Sequence, residues 1–343
     1  AQRHEVHHFA FSRQYPRWLY PGRSEREPLR PDMPTVPHRA TLDGVNPLTW
    51  WRTARAIRAL RPDWLILQWT VPFWAPLLAL LLRRAPRGSC KLIICHNAIP
   101  HEAGSATWLR EHVQRAVLGR ADALLCHSES DREVLSAMLP GVPVERVMHP
   151  TYAPLASAPA AEVERPGAPP LLFFGSVRPY KGVDTLFRAM PRVLQAIPSA
   201  RLIVAGEWWP DSEPLRAAVP PDAAHAIEIH DRYIPQDEMS ALFHEADVMV
   251  LPYRSATQSG VVQLAFGFGV PVITTTVGGL PEAVTDGVSG LLVPPGDPAA
   301  LAQAIIRYHR EGWRARLAPG VAEARDRFSW QALVERLEAL CPP

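Results

Sequence analysis

The sequence predicts an α/β protein made of two doubly wound domains that face each other across a cleft. In the second half, short apolar segments alternate regularly with segments of helical spacing, and the first half repeats this alternation less cleanly. This rhythm is typical of parallel sheets with helices on both faces. An Ala- and Pro-rich segment between the halves is typical of a linker. We therefore expect domains at 1–152 and 171–327, a linker at 153–170, and a final helix at 328–343 that packs back toward the first domain.

The second half supplies the clearer elements. Apolar runs bounded by turn residues predict strands at Leu171–Phe174, Arg201–Ala205, Ile227–Tyr233, Val248–Tyr253, Val272–Thr275 and Leu291–Val293. Apolar residues three and four positions apart predict helices at Val183–Ala196, Gln236–Ala246, Val261–Phe268 and from the capping residue Asp297 to Tyr308.

The first half follows the same pattern. The predicted strands are Glu5–Phe11, Trp64–Trp69, Lys91–Cys95 and Ala123–Cys126, and the predicted helices are Leu48–Leu60, Trp74–Leu82, Ser105–Leu118 and Ser130–Met138. A domain of this kind is expected to open with a strand, a glycine-rich turn and a helix, which are missing before Glu5. We therefore expect that one βα unit, on the order of 25–30 residues, is missing at the N-terminus.

Composition narrows the function classes. With 47% hydrophobic residues in 343 positions, the chain has enough apolar material for two cores and is not of the disordered class. The net charge of +2 hides an asymmetry: residues 1–150 carry 20 basic and 13 acidic residues, whereas the remainder carries 16 and 21. The basic half suits anionic lipid headgroups or a phosphorylated acceptor, although ordinary surface variation is an alternative. No basic run with interleaved aromatics points to nucleic acid.

The cysteines indicate the redox state of the protein's compartment, and one uncharged segment raises the question of a membrane span. The four cysteines show no paired CxxC spacing, which argues against a zinc site and a disulfide framework and favours a reducing compartment. Residues 64–82 carry no formal charge, but Pro72 and Pro76 interrupt them. We therefore expect a buried strand followed by a short helix, either a core helix or one lying on a bilayer surface, rather than a membrane span.

The most informative segment is Gly175-Ser-Val-Arg-Pro-Tyr-Lys-Gly182. It follows a predicted strand and precedes a predicted helix, where backbone N–H groups and nearby cations hold anions such as a diphosphate. Only two of the 36 basic residues are lysines, Lys91 and Lys181. An ammonium group fits between phosphate oxygens where a planar guanidinium does not. Lys181 is therefore a candidate phosphate ligand, and the alternative is that a lysine stands at this position by chance.

Taken together, these motifs resemble the retaining nucleotide-sugar glycosyltransferases of family 4, which have the two-Rossmann GT-B fold. The resemblance covers nearly the whole chain, and it rests on the order and spacing of its motifs. Besides Arg178–Gly182, these are Cys95-His96-Asn97, Pro100-His101-Glu102, Ser128–Asp131, Gly269–Ile273, Gly278–Glu282, Gly287, Gly290–Val293 and Asp297.

The resemblance implies roles for individual residues. Arg178 and Lys181 would neutralise the departing nucleotide diphosphate, and His96 would reach the donor sugar from the opposite domain; a core histidine is the alternative for His96. Tyr233 and Ile234 would line the nucleobase. The remaining donor-binding candidates are Gly175, Ser176, Ser255, Gln258, Ser259, Gly260, Val261 and Gln263, and the acceptor-side candidates are Asn97, His101 and Glu102.

The chain also departs from the family pattern. The arginine that usually follows the glycine is replaced by Ser176, and Arg178 would substitute for it. The family's paired glutamates fall at Ser255 and Gln263, neither of which is acidic. Gln263 could still bind the ribose, whereas Ser255 is too short to reach the donor sugar. Gln258 or the N–H groups of Ser259–Gly260, at the start of a helix, would take over that role.

The resemblance therefore implies a hexosyltransferase that acts with retention, without metal and without a cofactor other than its nucleotide-diphosphate-sugar substrate. The acceptor would be a saccharide or a lipid-linked molecule in polysaccharide or glycoconjugate synthesis. The location would be cytoplasmic, with peripheral contact to an anionic membrane through the basic domain. The alternatives are a sugar-nucleotide-binding protein without transferase activity, and an epimerase or phosphorylase of the same fold.

Overall fold

The computed structural model describes residues 4–15, 38–98, 107–152 and 170–341 and divides the chain into two compact units. Unit 1 extends to Val147 and also includes the residues from Leu337 onward, whereas unit 2 is Met148–Arg336. Except for Pro170, the predicted linker lies outside the described residues.

Unit 1 contains a two-stranded and a four-stranded sheet, and every strand pair is parallel. Its elements, in chain order, are β1 (His8–Arg13), β2 (His38–Asp43), α1 (Pro47–Leu60), β3 (Trp64–Trp69), α2 (Ala75–Arg84), β4 (Cys90–Cys95), α3 (Thr107–Leu118), β5 (Ala123–Cys126), α4 (Glu129–Met138) and β6 (Val144–Arg146). The smaller sheet pairs β1 with β2, and the larger one has the order β3-β4-β5-β6.

Local sequence accounts for these elements. In β3, Leu65, Leu67 and Trp69 are buried and alternate with more exposed residues, as the period of two in a strand requires. All four residues of β5 are buried, because helices cover both faces of a parallel sheet. Helix α1 begins after Asn46, whose side chain accepts a hydrogen bond from the N–H of Leu48.

Unit 2 contains a six-stranded parallel sheet of order β12-β11-β10-β7-β8-β9 within the described residues. Its elements are β7 (Leu171–Phe174), α5 (Val183–Ala196), β8 (Leu202–Ala205), β9 (Ile227–His230), α6 (Gln236–Glu245), β10 (Val248–Leu251), α7 (Gly260–Gly267), β11 (Val272–Thr275), α8 (Leu280–Ala283), β12 (Gly290–Val293), α9 (Pro298–Arg310), α10 (Trp313–Arg327) and α11 (Trp330–Leu340), which ends in unit 1.

The order of this sheet positions the site. From β7 the chain proceeds outward through β8 to β9, and it then returns to add β10 on the other side of β7. The neighbours β7 and β10 therefore flank the point at which the winding reverses, and their carboxyl ends open a crevice there. Ligands of doubly wound sheets bind at this position.

Some predicted boundaries were wrong. The strand predicted to reach Tyr233 ends at His230, and the one predicted to reach Tyr253 ends at Leu251. The first extension is Asp231-Arg232-Tyr233 and the second is Pro252-Tyr253, and both leave the sheet at its carboxyl edge. The chain between β3 and β4 forms a short 3-10 turn, Pro72–Trp74, and then α2. In the described part of the chain, no helix is both long and apolar enough to cross a membrane.

The expectation that the cysteines form no disulfide was wrong. Cys90 at the start of β4 and Cys341 after α11 are bonded, with their Cα atoms 6.0 Å apart. They are 251 positions apart, so their spacing in the sequence gave no signal. The two remaining cysteines, Cys95 and Cys126, are free and buried. Since disulfides persist in oxidising environments, the cysteines no longer favour a reducing compartment.

Thiol counting tests this pairing. Protein that is isolated without reductant and then unfolded should expose the two thiols of Cys95 and Cys126 to a thiol reagent, and reduction should expose all four cysteines. The Cys341→Ser variant should expose three thiols under the same conditions. Four thiols in unreduced wild-type protein would contradict the pairing.

Candidate functional site

Two loops of unit 2 form the crevice at the reversal point. The first connects β7 to α5 and contains residues 175–182, and the second connects β10 to α7 and contains residues 252–259. The backbone N–H of Arg254 donates to the carbonyl of Tyr180 over 2.7 Å, which fixes the loops against each other. The local sequence predicted the first loop, because an apolar strand and an amphipathic helix bracket it.

Two glycines allow the first loop to approach its neighbours. Gly175 has φ +100°, and a β-carbon there would lie 3.4 Å from Cγ2 of Val261 and 3.5 Å from Nζ of Lys181. Gly182 has φ +66°, and a β-carbon there would lie 2.2 Å from the carbonyl oxygen of Pro252. Glycine is the residue that adopts positive φ without strain. A side chain at 175 would fill the space beside the ammonium group.

Lys181 is the central cation of this site. It is 8% exposed, its Nζ donates to the hydroxyl of Ser176 over 3.3 Å, and it lies 5.9 Å from the centre of the Tyr253 ring. Burial, followed by repulsion from Arg178, lowers the pKa of Lys181 to about 8. In the described residues no carboxylate pairs with this ammonium group, so an anionic ligand would supply the missing charge.

Arg178 lies near Lys181 and has two contacts of its own. Its Nε lies 3.3 Å from Oδ2 of Asp211, and its guanidinium carbon lies 4.0 Å above the ring of Trp209. It is close enough to Lys181 to lower the pKa of that ammonium group. Arg178 is therefore held beside the loop by a carboxylate and an indole.

The beginning of α7 completes the crevice. Ser259 occupies the N-cap position and is buried, and its hydroxyl hydrogen-bonds the hydroxyl of Tyr253 instead of capping the helix. Burial raises the pKa of Tyr253, and this hydrogen bond acts in the opposite direction. The helix N–H groups near Gly260 and Val261 are therefore not capped by Ser259, and Val261 faces Gly175. Such a helix end favours an anion.

The residues at the two glutamate positions differ sharply. Ser255 is exposed, whereas Gln263 is fully buried and both polar atoms of its amide have no partner in the described part of the chain. Gln258 donates to the carbonyl of Gly279 over 3.0 Å, and its own amide oxygen is buried without a partner there. Buried polar groups are almost always hydrogen-bonded, so the Gln263 amide retains a donor and an acceptor that the described side chains do not use.

The two candidates for nucleobase contact also differ. Tyr233 is 46% exposed, whereas Ile234 is buried in the core of unit 2. They lie beyond the end of β9 rather than within it. Tyr233 therefore presents a surface to solvent, and Ile234 anchors the segment.

Sequence reasoning missed an ion pair that joins the two loops. Nη2 of Arg254 donates to Oδ2 of Asp184 over 2.6 Å, and Nη1 of Arg254 donates to the carbonyl of Pro179 over 3.1 Å. The Asp184 carboxylate is buried in the first turn of α5, where the helix dipole also favours a negative charge. The partners are 70 positions apart, so no local pattern revealed the pair.

The histidine loop lies in unit 1. His96 and Asn97 follow β4 and are partly buried, and the ring of His96 lies 5.2 Å from that of His127. Asp131 is fully buried and accepts hydrogen bonds from the N–H of Ala98 (3.0 Å) and the hydroxyl of Ser128 (2.7 Å). Asp131 therefore holds the loop from the first turn of α4. The other two acceptor-side candidates, His101 and Glu102, lie outside the described residues.

Within unit 2, the structure brings together Gly175, Ser176, Lys181, Ser259, Gly260 and Val261. No group of three His, Cys, Asp or Glu side chains that could hold a metal occurs in the described ranges. What the crevice offers is one buried ammonium and a helix N-terminus. This combination can hold the phosphates of a polar ligand and stabilise negative charge that develops on them.

The two halves of the chain match two family models. Residues 1–149 match the model described as Glycosyltransferase Family 4, and residues 168–311 match the one described as Glycosyl transferases group 1.

Similar proteins include curated glycosyltransferases. D-inositol 3-phosphate glycosyltransferase of Streptosporangium roseum is 38% identical over 49% of this chain and 40% of its own length. The protein of the same name from Streptomyces bingchenggensis is 34% identical over 61% of this chain and 48% of its own length. The chain thus spans about half the length of these curated relatives.

Solved structures share the fold. Sucrose-phosphate synthase of Thermosynechococcus elongatus superposes with a TM-score of 0.66 at 22% identity, over 85% of this chain and 77% of its own. Anabaena Alr3699/HepE in complex with UDP superposes with a TM-score of 0.67 at 16% identity, over 89% of this chain and 86% of its own. These likenesses show the GT-B fold. The chain belongs to the family 4 glycosyltransferases, with a group 1 glycosyltransferase domain as its second half.

Proposed function

We propose that the chain is a retaining, metal-independent hexosyltransferase that moves a sugar from a nucleotide-diphosphate donor to a phosphorylated polyol, a saccharide or a lipid-linked acceptor. The single observation that supports this most is the buried Lys181 ammonium, without a carboxylate partner in the described residues, beside the N-terminus of α7. A diphosphate satisfies both groups at once.

The proposed mechanism follows from these charges. Cleavage of the glycosyl–phosphate bond leaves negative charge on the β-phosphate and positive charge on the sugar ring. Lys181 and the N–H groups at the start of α7 stabilise the phosphate, and Arg178 adds positive potential from the edge. The acceptor oxygen bonds to the anomeric carbon on the face from which the phosphate departs, and the leaving phosphate accepts the proton of that oxygen, so the anomeric configuration is retained. His96 would contact the donor sugar.

The donor and acceptor are proposed from the relatives. HepE has been solved with UDP and with UDP-glucose, which favours a uridine nucleotide sugar as donor. The curated relatives are named for D-inositol 3-phosphate, which favours a phosphorylated polyol over a growing polysaccharide. The excess of basic residues in 1–150 suits a phosphorylated acceptor.

An incubation series tests the proposal. UDP-, GDP- and dTDP-sugars are mixed with the protein, with and without an inositol phosphate, a saccharide or a polyprenyl phosphate, in the presence of a chelator. The expected product is an acceptor glycoside whose anomeric configuration, measured by NMR, matches that of the donor. Free sugar epimers, or a product that requires inorganic phosphate, would instead identify an epimerase or a phosphorylase.

A second candidate function is sugar-nucleotide binding without transfer. It is favoured by Ser255 and Gln263, which place a short exposed hydroxyl and a neutral amide where family members have glutamates. Nucleotide-sugar binding with no product from any acceptor would support it. The Gln263→Glu variant separates the two candidates, because recovered transfer in this variant would identify the amide as the cause of inactivity.

Donor binding should weaken at alkaline pH. The folded protein binds the Lys181 proton less tightly than the unfolded chain, so this group lowers stability below about pH 8. That loss of folding stability disappears as the pH rises toward the ordinary lysine pKa of 10.5.

The affinity for the donor should change in the opposite direction. A diphosphate needs the protonated form of Lys181, so affinity should fall by up to about tenfold per pH unit above pH 8. Calorimetry in two buffers should show proton uptake on binding at alkaline pH. Lys181→Arg should bind weakly and without proton uptake; uptake that persists in this variant would exclude Lys181 as its source.

The proposal includes peripheral contact of the protein with the surface of an anionic membrane. It is supported by the excess of 20 basic over 13 acidic residues in 1–150. Full-length protein should cosediment with vesicles that contain phosphatidylglycerol at low ionic strength and dissociate as salt is added. Absence of cosedimentation at low salt would remove this part of the proposal.

A further inference from the structure

A cavity on the helical layer of unit 1 has no role in the proposed transfer. It has a volume of about 370 Å³ and lies between α1 and α2. Its lining consists of the residues Trp51, Arg52, Ala54, Arg55, Arg58 and Arg84. Every lining residue therefore comes from one of two helices, and four of them are arginines.

The charges in this cavity have no carboxylate partner among the described residues. Neither α1 nor α2 contains an acidic residue, and none of the four arginines forms an ion pair with a carboxylate in the part of the chain that the structure describes. Arg52 and Arg55, and likewise Arg55 and Arg58, are three positions apart on one helix face. Like charges at this spacing repel each other and destabilise a helix. Some other arginines of this unit are paired, such as Arg13 with Asp43 and Arg132 with Glu129.

An aromatic side chain organises the cluster. The guanidinium carbon of Arg84 lies 4.0 Å above the ring of Trp51, which itself is 48% exposed. Stacking of this kind limits the motion of the guanidinium group without neutralising its charge. Ala54 is buried and forms the floor. The cavity therefore has a mainly apolar surface that includes an indole, and four exposed arginines line it.

This position is separate from the expected ligand edge of the sheet. Helix α2 runs from the carboxyl end of β3 to the amino end of β4, so its last residue, Arg84, lies toward the amino edge. Ligands of doubly wound sheets bind at the carboxyl edge. The cavity is thus a different site from both the histidine loop and the loop of Lys181.

We infer that this cavity is a phosphate-binding site, which holds the phosphate of a lipid headgroup or of a soluble phosphate ester. Planar guanidinium groups bind phosphate oxygens in pairs, and several of them converge here on a volume that accommodates a phosphate with its organic substituent. The inference goes beyond the proposed transfer and does not depend on it.

The test compares two double variants. Arg55→Gln with Arg58→Gln removes two charges from the cavity, whereas Arg115→Gln with Arg120→Gln removes two exposed charges of the same unit that do not line it. Inorganic phosphate and glycerol phosphate are titrated by calorimetry, and vesicles with and without phosphatidylglycerol are used for cosedimentation. Lys181→Ala identifies any phosphate that binds in unit 2, because that component alone should disappear.

We expect the cavity variant to lose affinity about tenfold or more and the control variant about twofold or less. Binding of soluble phosphate would identify a soluble ester as the source, and binding only to vesicles that contain phosphatidylglycerol would identify a lipid headgroup. The ligand-free cavity variant should melt at or above the wild-type temperature, because repulsion is relieved. Saturable binding of neither probe, or equal losses in the two double variants, would overturn the inference.

Discussion

Replacement of Lys181 by alanine is expected to abolish sugar transfer, and replacement by arginine is expected to slow it at least about tenfold, or about 1.4 kcal/mol in the barrier. The ammonium group is 8% exposed and sits beside Ser176, Gly175 and the ring of Tyr253. A guanidinium keeps the charge, but it is broader and cannot occupy the same space without displacing these neighbours. The measurement is the initial transfer rate at saturating acceptor.

The chain provides a matched control for this experiment, because its other lysine is not in the site. Lys91 lies at the start of β4 and pairs with the exposed Asp122 over 3.2 Å. Lys91→Ala and Lys91→Arg should leave the rate unchanged within about twofold, since exposed ion pairs contribute little. Wild-type rates in Lys181→Arg would show that either cation suffices and that the position does not select lysine.

Substitution of Gly182 by alanine is expected to produce a large loss of stability. The residue has φ +66°, and the new methyl group would lie 2.2 Å from the carbonyl oxygen of Pro252. Two effects therefore add: an unfavourable backbone conformation of about 1–2 kcal/mol and a clash of about 1–3 kcal/mol. Relief of the clash would displace the loop of Lys181 from the beginning of α7, so donor affinity should fall as well.

The Gly296→Ala variant is the control that separates the clash from the cost of the backbone conformation. Gly296 has φ +70°, close to that of Gly182, but a β-carbon there meets no atom within 4 Å. Chemical denaturation of both variants should give a small loss for Gly296→Ala and a larger one for Gly182→Ala, and only the latter should weaken donor binding. Equal losses would mean that the contact with the Pro252 loop does not constrain the site.

Much of the fold could be predicted from local sequence. The bounds of β3, β5, β7, β11 and α5 were predicted correctly, because each is an apolar run or a clear helical period with distinct ends. Helix α10 was missed because it contains Pro319 and lacks a strong apolar stripe. Strand β2 (HRATLD) was missed because only Leu42 in it is buried.

The site was predictable in part for a similar reason. The loop of Lys181 is a continuous segment between a strand and a helix, so the sequence alone indicated that it could bind an anion. The pair of Asp184 with Arg254, and the attachment of Arg178 to Asp211 and Trp209, depend on contacts between distant segments. The disulfide between Cys90 and Cys341 is the extreme case, since it joins residues 251 positions apart.

The central claim, that the crevice of unit 2 binds a nucleoside diphosphate through Lys181, is tested most directly by thermal denaturation. UDP, GDP and dTDP are added separately to wild-type protein and to Lys181→Ala and Lys91→Ala. At one hundred times its Kd, a ligand that binds the folded state adds about 2.7 kcal/mol. One nucleotide should therefore raise the Tm of the wild type and of Lys91→Ala by several degrees, and the rise should disappear in Lys181→Ala. No rise with any nucleotide, or an equal rise in all three proteins, would contradict the claim.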